Sequence, residues 1–185
     1  LNLIGHVHLV KHLLSCCKQD SSTRIVAVGS EAAFCTPGTD FGNADFAAHL
    51  TGNVSAKDKM MGIDYAWTKG ILALYWAAYA RINPHLFVLV VSPGAIPSTS
   101  LLDQGRVSGA LKAIARLSQC FGGSHTVRDG AQRYLWALLG TGPFDLSETT
   151  ITVSSGSFWA STKGFAKEFG NVATLPKGKF VENKV

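Results

Sequence analysis

The sequence predicts an α/β fold built on a parallel sheet of about three strands with flanking helices. Residues 25–29 and 86–91 are short apolar runs rich in β-branched residues, as is typical of strands that are buried on both faces. Stretches with helical periodicity, residues 3–18 and 64–82, alternate with those two runs. This order of helix, strand, helix and strand is the one from which parallel sheets are built.

The first helix is predicted because apolar residues recur every three or four positions between Ile4 and Leu14. Asn2 stands where a helix cap is expected. The second helix begins at Asp64 and carries apolar residues nearly all round, which predicts burial on more than one side. Between the first strand and this helix, residues 31–63 form a connection longer than usual, and such segments often carry function.

The second half of the chain continues the same order with weaker signals. Asn83-Pro84 ends the long helix, because proline cannot continue one. Further helices are predicted over residues 105–120 and 126–139, and a short strand over residues 149–153.

Composition predicts a single domain over residues 1–160 followed by a basic tail over residues 161–185. The net charge is +5, but the 17 basic residues are scattered, which argues against a nucleic-acid-binding surface. The tail is expected to be solvated, and its alternative role is contact with an anionic lipid surface or a partner protein. All apolar runs are shorter than the roughly 20 residues that a membrane-spanning helix needs, so no transmembrane segment is predicted.

The four cysteines lack a CxxC pair, so they predict neither a zinc site nor a disulfide framework and are typical of free thiols in a reducing compartment of the cell. His8 and His12 have the spacing of helical metal ligands, but no carboxylate or cysteine accompanies them at a useful distance. We therefore expect them, together with His6, to be surface or packing histidines.

Several polar residues fall where a parallel sheet presents its ligand site, at the carboxyl ends of its strands. Ser30 directly follows the first strand, and Pro93-Gly94 follows the second. Tyr65 and Lys69 lie four residues apart near the start of the long helix, so they share a helix face. Asn2 heads the first helix. Each of these residues also has a purely structural alternative. Tyr65 and Lys69 would then be solvated side chains, and Ser30 would merely end a strand. Pro93-Gly94 would be an ordinary turn, and Asn2 only a helix cap.

Four segments containing these residues resemble successive motifs of the short-chain dehydrogenase/reductase family, in family order. They are Asn2-Leu-Ile-Gly-His6, Arg24-Ile-Val-Ala-Val-Gly-Ser30, Tyr65-Ala-Trp-Thr-Lys69 and Ser92-Pro-Gly-Ala-Ile-Pro-Ser98. The resemblance covers residues 1–102 strongly and the remainder weakly. It implies the carboxyl-terminal half of a Rossmann-like, doubly wound parallel sheet, and hydride transfer between NAD or NADP and a carbonyl or alcohol. The cofactor is expected only if the amino-terminal half of that sheet is present as well.

The chemistry of that reaction explains these residue types. Reduction of a carbonyl leaves negative charge on oxygen, which a positioned acid must neutralise. A phenol, with an ordinary pKa of ~10, does this poorly at neutral pH unless a nearby cation stabilises its phenolate. By resemblance, Tyr65 is the acid and Lys69 the cation, which also contacts the nicotinamide ribose. Ser30 holds the substrate oxygen and Asn2 anchors a water in the proton relay. Pro93, Gly94 and Ser98 border the nicotinamide.

The chain departs from the family pattern in two respects. Ser30 and Tyr65 are 35 residues apart, a wide separation that resembles the retinol-dehydrogenase-like and protochlorophyllide-reductase-like branches. Residues 127–134 and Gly156-Ser-Phe-Trp159 also resemble that branch, which implies a bulky, lipid-like carbonyl substrate. No glycine-rich cofactor turn follows a strand, so the chain is expected to hold about three of seven strands, with residues 24–29 at an open edge.

These departures leave three hypotheses. The chain is part of a complete NAD(P)-dependent oxidoreductase, or a non-catalytic subunit whose protein partners cover the open edge, or a pseudoenzyme that binds a ligand. Helices 3–18 and 64–82 resemble those that family members use for dimer contacts, so a homo-oligomer or a complex is expected.

Overall fold

A computed structural model of the protein describes residues 3–17, 23–35, 53, 63–97, 124–139, 153–161 and 169–171. Within these ranges there are three α-helices, one 3₁₀ helix and four strands. The α-helices are α1 (Ile4–Cys16), α2 (Ile63–Ile82) and α3 (Val127–Leu139), and the 3₁₀ helix is Glu31–Cys35. The strands are β1 (Arg24–Val28), β2 (Phe87–Val91), β3 (Phe158–Ser161) and β4 (Phe169–Asn171).

The four strands form one mostly parallel sheet in the order β1-β2-β3-β4. β1 pairs with β2 and β2 with β3 in parallel, whereas β4 runs antiparallel to β3. The prediction of an α/β fold with parallel strands is therefore confirmed. The expectation of about three strands, all parallel, is corrected by β4, a three-residue strand in the segment assigned to the tail. Three residues are too few to show the alternation by which strands are predicted.

The predicted helix boundaries agree with the structure to within one or two residues. α2 ends where Asn83-Pro84 predicts, and the Asn83 side-chain amide donates a hydrogen bond to the Tyr79 carbonyl at 2.9 Å, which satisfies one terminal acceptor. The residue before α1 is Leu3, whose side chain makes no capping hydrogen bond. Asn2 and the predicted helix 105–120 lie outside the described residues.

The strand predicted over residues 149–153 falls almost wholly outside the described residues, and the strand that the structure describes next, β3, was not predicted. Residues 149–152 lie outside the described part, Val153 is irregular, and β3 begins at Phe158. Hydrogen bonds to the start of β2 hold the intervening segment as a turn. Ser155 Oγ accepts from the Val88 amide at 3.0 Å and donates to the Leu86 carbonyl at 3.1 Å, and the Gly156 amide donates to the Val88 carbonyl at 2.7 Å. Because Gly156 has φ +86°, this turn suits glycine.

The sheet is covered on both faces, which explains the continuous apolar run of β2. Leu72 of α2 belongs to one core cluster with Val88, while Trp136 of α3 belongs to another with Leu89 and Val91. Alternate residues of β2 thus serve opposite faces, as the pleat of a strand requires. Each fully buried large apolar side chain contributes roughly 1.5–3 kcal/mol to stability.

β1 lies at one edge of the sheet that the described strands form, and apolar side chains near it are exposed. Val28 is 47% exposed, and α1 presents Ile4, Leu9 and Leu13 to solvent. No helix in the described ranges is long and apolar enough to cross a membrane. Among the residues whose positions are described, no group of three metal-ligating side chains occurs, and Cys16 and Cys17 are exposed free thiols.

Candidate functional site

The candidate site lies at the edge of the sheet where β1, β2 and β3 end. Because these strands are parallel, their carboxyl ends meet at one edge, and the residues that follow them are neighbours across it. The Gly29 amide extends this ladder by donating to the Val91 carbonyl at 2.8 Å, which places Ser30 and Ser92 next in line on adjacent strands.

Tyr65 and Lys69 are side by side at this edge. The Lys69 ammonium lies 5.8 Å from the centre of the Tyr65 ring, as their spacing on one helix face requires. Lys69 is 8% exposed, and its Nζ donates to the carbonyl of Val28, the last residue of β1, at 2.9 Å. Burial lowers the pKa of Lys69 below its ordinary value. Lys69 is therefore held at the carboxyl end of β1 and is not a solvated surface lysine.

Ser30 opens the 3₁₀ helix that follows β1. Its Oγ accepts a hydrogen bond from the Ala32 amide at 3.2 Å, and its carbonyl accepts one from the Ala33 amide at 3.0 Å. The hydroxyl thus has a local structural partner, and because it accepts in that bond, its own proton remains to be donated.

Pro93 and Gly94 follow β2 in a tightly held segment. Gly94 has φ +84°, and its amide donates to Ser92 Oγ at 3.1 Å. A Cβ at position 94 would overlap the His125 ring and lie 2.9 Å from Arg133 Nη1, so one side of this backbone is already packed. The structure brings Ser30, Tyr65, Lys69, Pro93 and Gly94 to one edge of the sheet. Asn2 and Ser98, the other two predicted site residues, lie outside the described residues.

A buried polar group that the sequence did not reveal lies at the same edge and is here named the Arg133 cluster. It consists of Glu31, Ser92, His125, Arg133 and Ser161. Arg133 is 1% exposed, and its guanidinium donates to the Ser92 carbonyl at 3.2 Å, to Ser161 Oγ at 3.1 Å and to His125 Nε2 at 2.9 Å. Glu31 Oε1 lies 3.5 Å from Arg133 Nη1 and accepts from the Ser161 amide at 3.0 Å.

The positions of the protons in this cluster follow from the arginine. A guanidinium only donates hydrogen bonds, so His125 Nε2 must accept and Nδ1 must carry the ring proton. Ser161 Oγ accepts from Arg133 and lies 3.1 Å from His125 Nε2, whose one lone pair already accepts from Arg133. Burial lowers the pKa of Arg133, and the Glu31 carboxylate opposes that shift.

One signal in the sequence could have revealed the cluster. Gly130, Arg133 and Ala137 recur at helical spacing along α3, and all three are buried. A charged residue in line with small, buried ones on an amphipathic helix must have a partner in the interior. The partners themselves lie far away in the sequence, so the helix pattern does not identify them.

Tyr134 lies next to this cluster and beside the predicted acid. Its hydroxyl is buried and makes no hydrogen bond within the part of the chain that the structure describes. Burial raises the pKa of Tyr134, the neighbouring Tyr65 raises it further, and Arg133 partly opposes both. Tyr134 is thus a neutral phenol close to Tyr65.

A separate small cavity of about 210 Å³ lies away from this edge, near the start of β1 and β2. Its lining includes Arg24, Phe87 and Trp136. Arg24 donates to the Ala137 carbonyl at 3.2 Å and stacks on the Phe87 ring. The cavity contains none of the predicted site residues.

No protein-family model matches the chain, and no curated protein matches it. Evidence on function therefore comes from the chemistry of the carboxyl edge itself.

Proposed function

We propose that the chain is the catalytic half of a short-chain dehydrogenase/reductase that transfers hydride between NAD or NADP and a carbonyl or alcohol, with a lipid-like substrate. The observation that carries the proposal is Lys69, buried beside Tyr65 with its Nζ on the carbonyl that ends β1. Three parallel strands with helices on both faces support a Rossmann-like, doubly wound sheet as the parent fold.

The residues at the edge fit the ribose and nicotinamide end of such a cofactor. An ammonium has three protons to donate, and the bond to Val28 uses one, so Lys69 retains donors for the ribose hydroxyls. The backbone at Pro93 and Gly94 would border the nicotinamide. When bound, the cofactor supplies or accepts the hydride.

The chain's own side chains manage the proton and the charge. In the direction of reduction, the Tyr65 hydroxyl donates its proton to the carbonyl oxygen as that oxygen gains negative charge. The adjacent Lys69 ammonium stabilises the phenolate left on Tyr65. Ser30, whose Oγ accepts from the Ala32 amide, donates its own proton to the same substrate oxygen and so orients it.

The test combines cofactor binding with a tyrosine pair. In wild-type protein that also carries the glycine-rich cofactor half, NADPH or NADH is expected to quench the tryptophan fluorescence saturably. This protein should also reduce a panel of aldehydes and ketones that includes retinoid and sterol carbonyls. Tyr65→Phe should lower kcat by about 10²–10⁴-fold, the usual contribution of a general acid. Tyr79→Phe, a half-buried tyrosine later in the same helix, should leave kcat unchanged. Equal rates in wild type and Tyr65→Phe would refute the assignment.

A second candidate function is a non-catalytic subunit derived from such an enzyme, with protein partners along β1. It is favoured by the edge position of β1 and by the exposed apolar side chains of Val28 and α1. This candidate predicts no nicotinamide binding, so a saturable titration with either cofactor contradicts it. Ligand binding that survives Tyr65→Phe without any reductase activity would instead indicate a pseudoenzyme.

A further inference from the structure

The Arg133 cluster connects the segments that follow three different strands. Glu31 follows β1, Ser92 follows β2, and Ser161 ends β3, while Arg133 reaches all three from α3. The Glu31 carboxylate completes the connection by accepting the Ser161 amide at 3.0 Å. The segment that carries Ser30 is thus joined through Glu31 to the segment that carries Gly94.

Several hydrogen bonds hold the backbone of the segment from Ser92 to Ala95. Arg133 Nη1 binds the Ser92 carbonyl at 3.2 Å, Ser92 Oγ accepts the Gly94 amide at 3.1 Å, and the Ala95 carbonyl accepts the His125 amide at 2.8 Å. The ring of His125 and Arg133 Nη1 also close the side of Gly94 where a side chain would be. The path of this backbone is therefore set by Arg133 and His125.

Stability alone is a weak reason for such an arrangement. Burying a guanidinium costs several kcal/mol, and a well-packed apolar side chain of similar volume often stabilises a protein equally well or better. Arg133 Nε is also buried and finds no hydrogen-bond acceptor in the described ranges, which adds to that cost. What an apolar residue could not provide is directional bonds to Ser92, His125 and Ser161 at once.

We propose that Arg133 is a positioning residue of the oxidoreductase: by binding the Ser92 carbonyl and His125, it holds the Pro93–Gly94 backbone in register with Ser30, and so sets the cofactor against Tyr65 and Lys69. This inference rests on the proposed function. The Arg133 cluster would thus affect the affinity for the cofactor and would take no part in proton transfer.

The experiment measures equilibrium dissociation constants for NADPH and NADH by fluorescence titration, at a temperature at which circular dichroism shows each variant to be fully folded. Arg133→Lys keeps the charge but cannot make the forked set of bonds, and we expect its dissociation constant to rise at least about tenfold. Arg81→Lys, at the exposed end of α2, is the matched control and should bind as wild type. In Arg133→Ala, added ethylguanidinium should restore part of the lost affinity.

A milder variant covers the case in which Arg133 substitutions do not fold. Ser161→Ala removes one acceptor of Arg133, and we expect a dissociation constant raised about threefold to tenfold, since a typical hydrogen bond contributes about 1 kcal/mol. Ser15→Ala, an exposed serine of α1, is its control.

The outcomes distinguish the two proposals. If wild type binds the cofactor and folded Arg133→Lys and Ser161→Ala bind it equally well, the cluster is only a structural brace and the inference is wrong, while the proposed function stands. If wild type binds no nicotinamide cofactor, both proposals are overturned.

Discussion

Replacing Tyr134 with phenylalanine removes one oxygen atom from the interior and leaves the ring in place. The Tyr134 hydroxyl is buried and has no hydrogen-bond partner among the described residues, so the folded state loses the bonds that this group makes to water in the unfolded chain. An unsatisfied buried polar group costs roughly 1–3 kcal/mol. We therefore expect Tyr134→Phe to be more stable than wild type at neutral pH by about 1 kcal/mol or more, a rise in Tm of about 2–4 °C for each kcal/mol in a chain of this size.

The same substitution should also change how the free energy of unfolding depends on pH above pH 10. The pKa of Tyr134 in the folded state is raised above its ordinary value of 10, chiefly by burial. A group with a raised folded pKa contributes stability that is fully present below the unfolded pKa and is lost as the pH rises through the folded one. Above pH 10 the wild type should therefore lose about 1.4 kcal/mol per pH unit through this residue. The phenylalanine variant lacks this loss, so its advantage should grow between pH 10 and 11.

Urea unfolding followed by circular dichroism at pH 7.5, 10 and 11 measures both effects as differences from wild type. Tyr79→Phe is the control, since the Tyr79 hydroxyl, unlike that of Tyr134, is not among the buried groups that lack a hydrogen-bond partner in the described residues. An equal or lower midpoint for Tyr134→Phe at pH 7.5, or a difference from wild type that does not increase above pH 10, would refute this account of the hydroxyl.

Three further predictions concern stability and use the same unfolding assay. Gly94→Ala should destabilise the protein by about 2–4 kcal/mol, because φ is +84° and the new methyl group overlaps His125. Gly5→Ala is the control: a methyl group at this position in α1 has no neighbouring atom within 4 Å, so the variant should be more stable by about 0.5–1 kcal/mol. Similar effects at both sites would contradict the packing described. Thr126→Ala should cost about 1 kcal/mol by removing the cap of α3, and a loss below a few tenths would show that the cap is dispensable. Burial lowers the folded pKa of Lys69, so its contribution to stability is present above pH 10.5 and is lost as the pH falls through the folded pKa. Lys69→Met should therefore gain stability relative to wild type as the pH is lowered from 10.5 to 8, and a pH-independent difference would contradict this.

Much of the fold could be predicted from local patterns. β2 is an unbroken apolar run, and α2 is a long periodic segment ended by Asn83-Pro84, so each was predicted to within about a residue. β3 was not predicted, because its four residues carry little strand signal by themselves, and hydrogen bonds from Ser155 and Gly156 to β2 hold the turn that precedes it. β4 was not predicted, since it forms only by pairing with β3.

The sequence by itself determines that Tyr65 and Lys69 share a helix face, because helical spacing is a local property of the backbone. It also determines that Ser30 and Gly94 follow strands. Only the tertiary structure decides that Arg133 meets Glu31 and Ser161, which are 130 positions apart in the chain. Parallel strands bring together carboxyl ends that are distant in sequence, and no local pattern records which of those ends become neighbours.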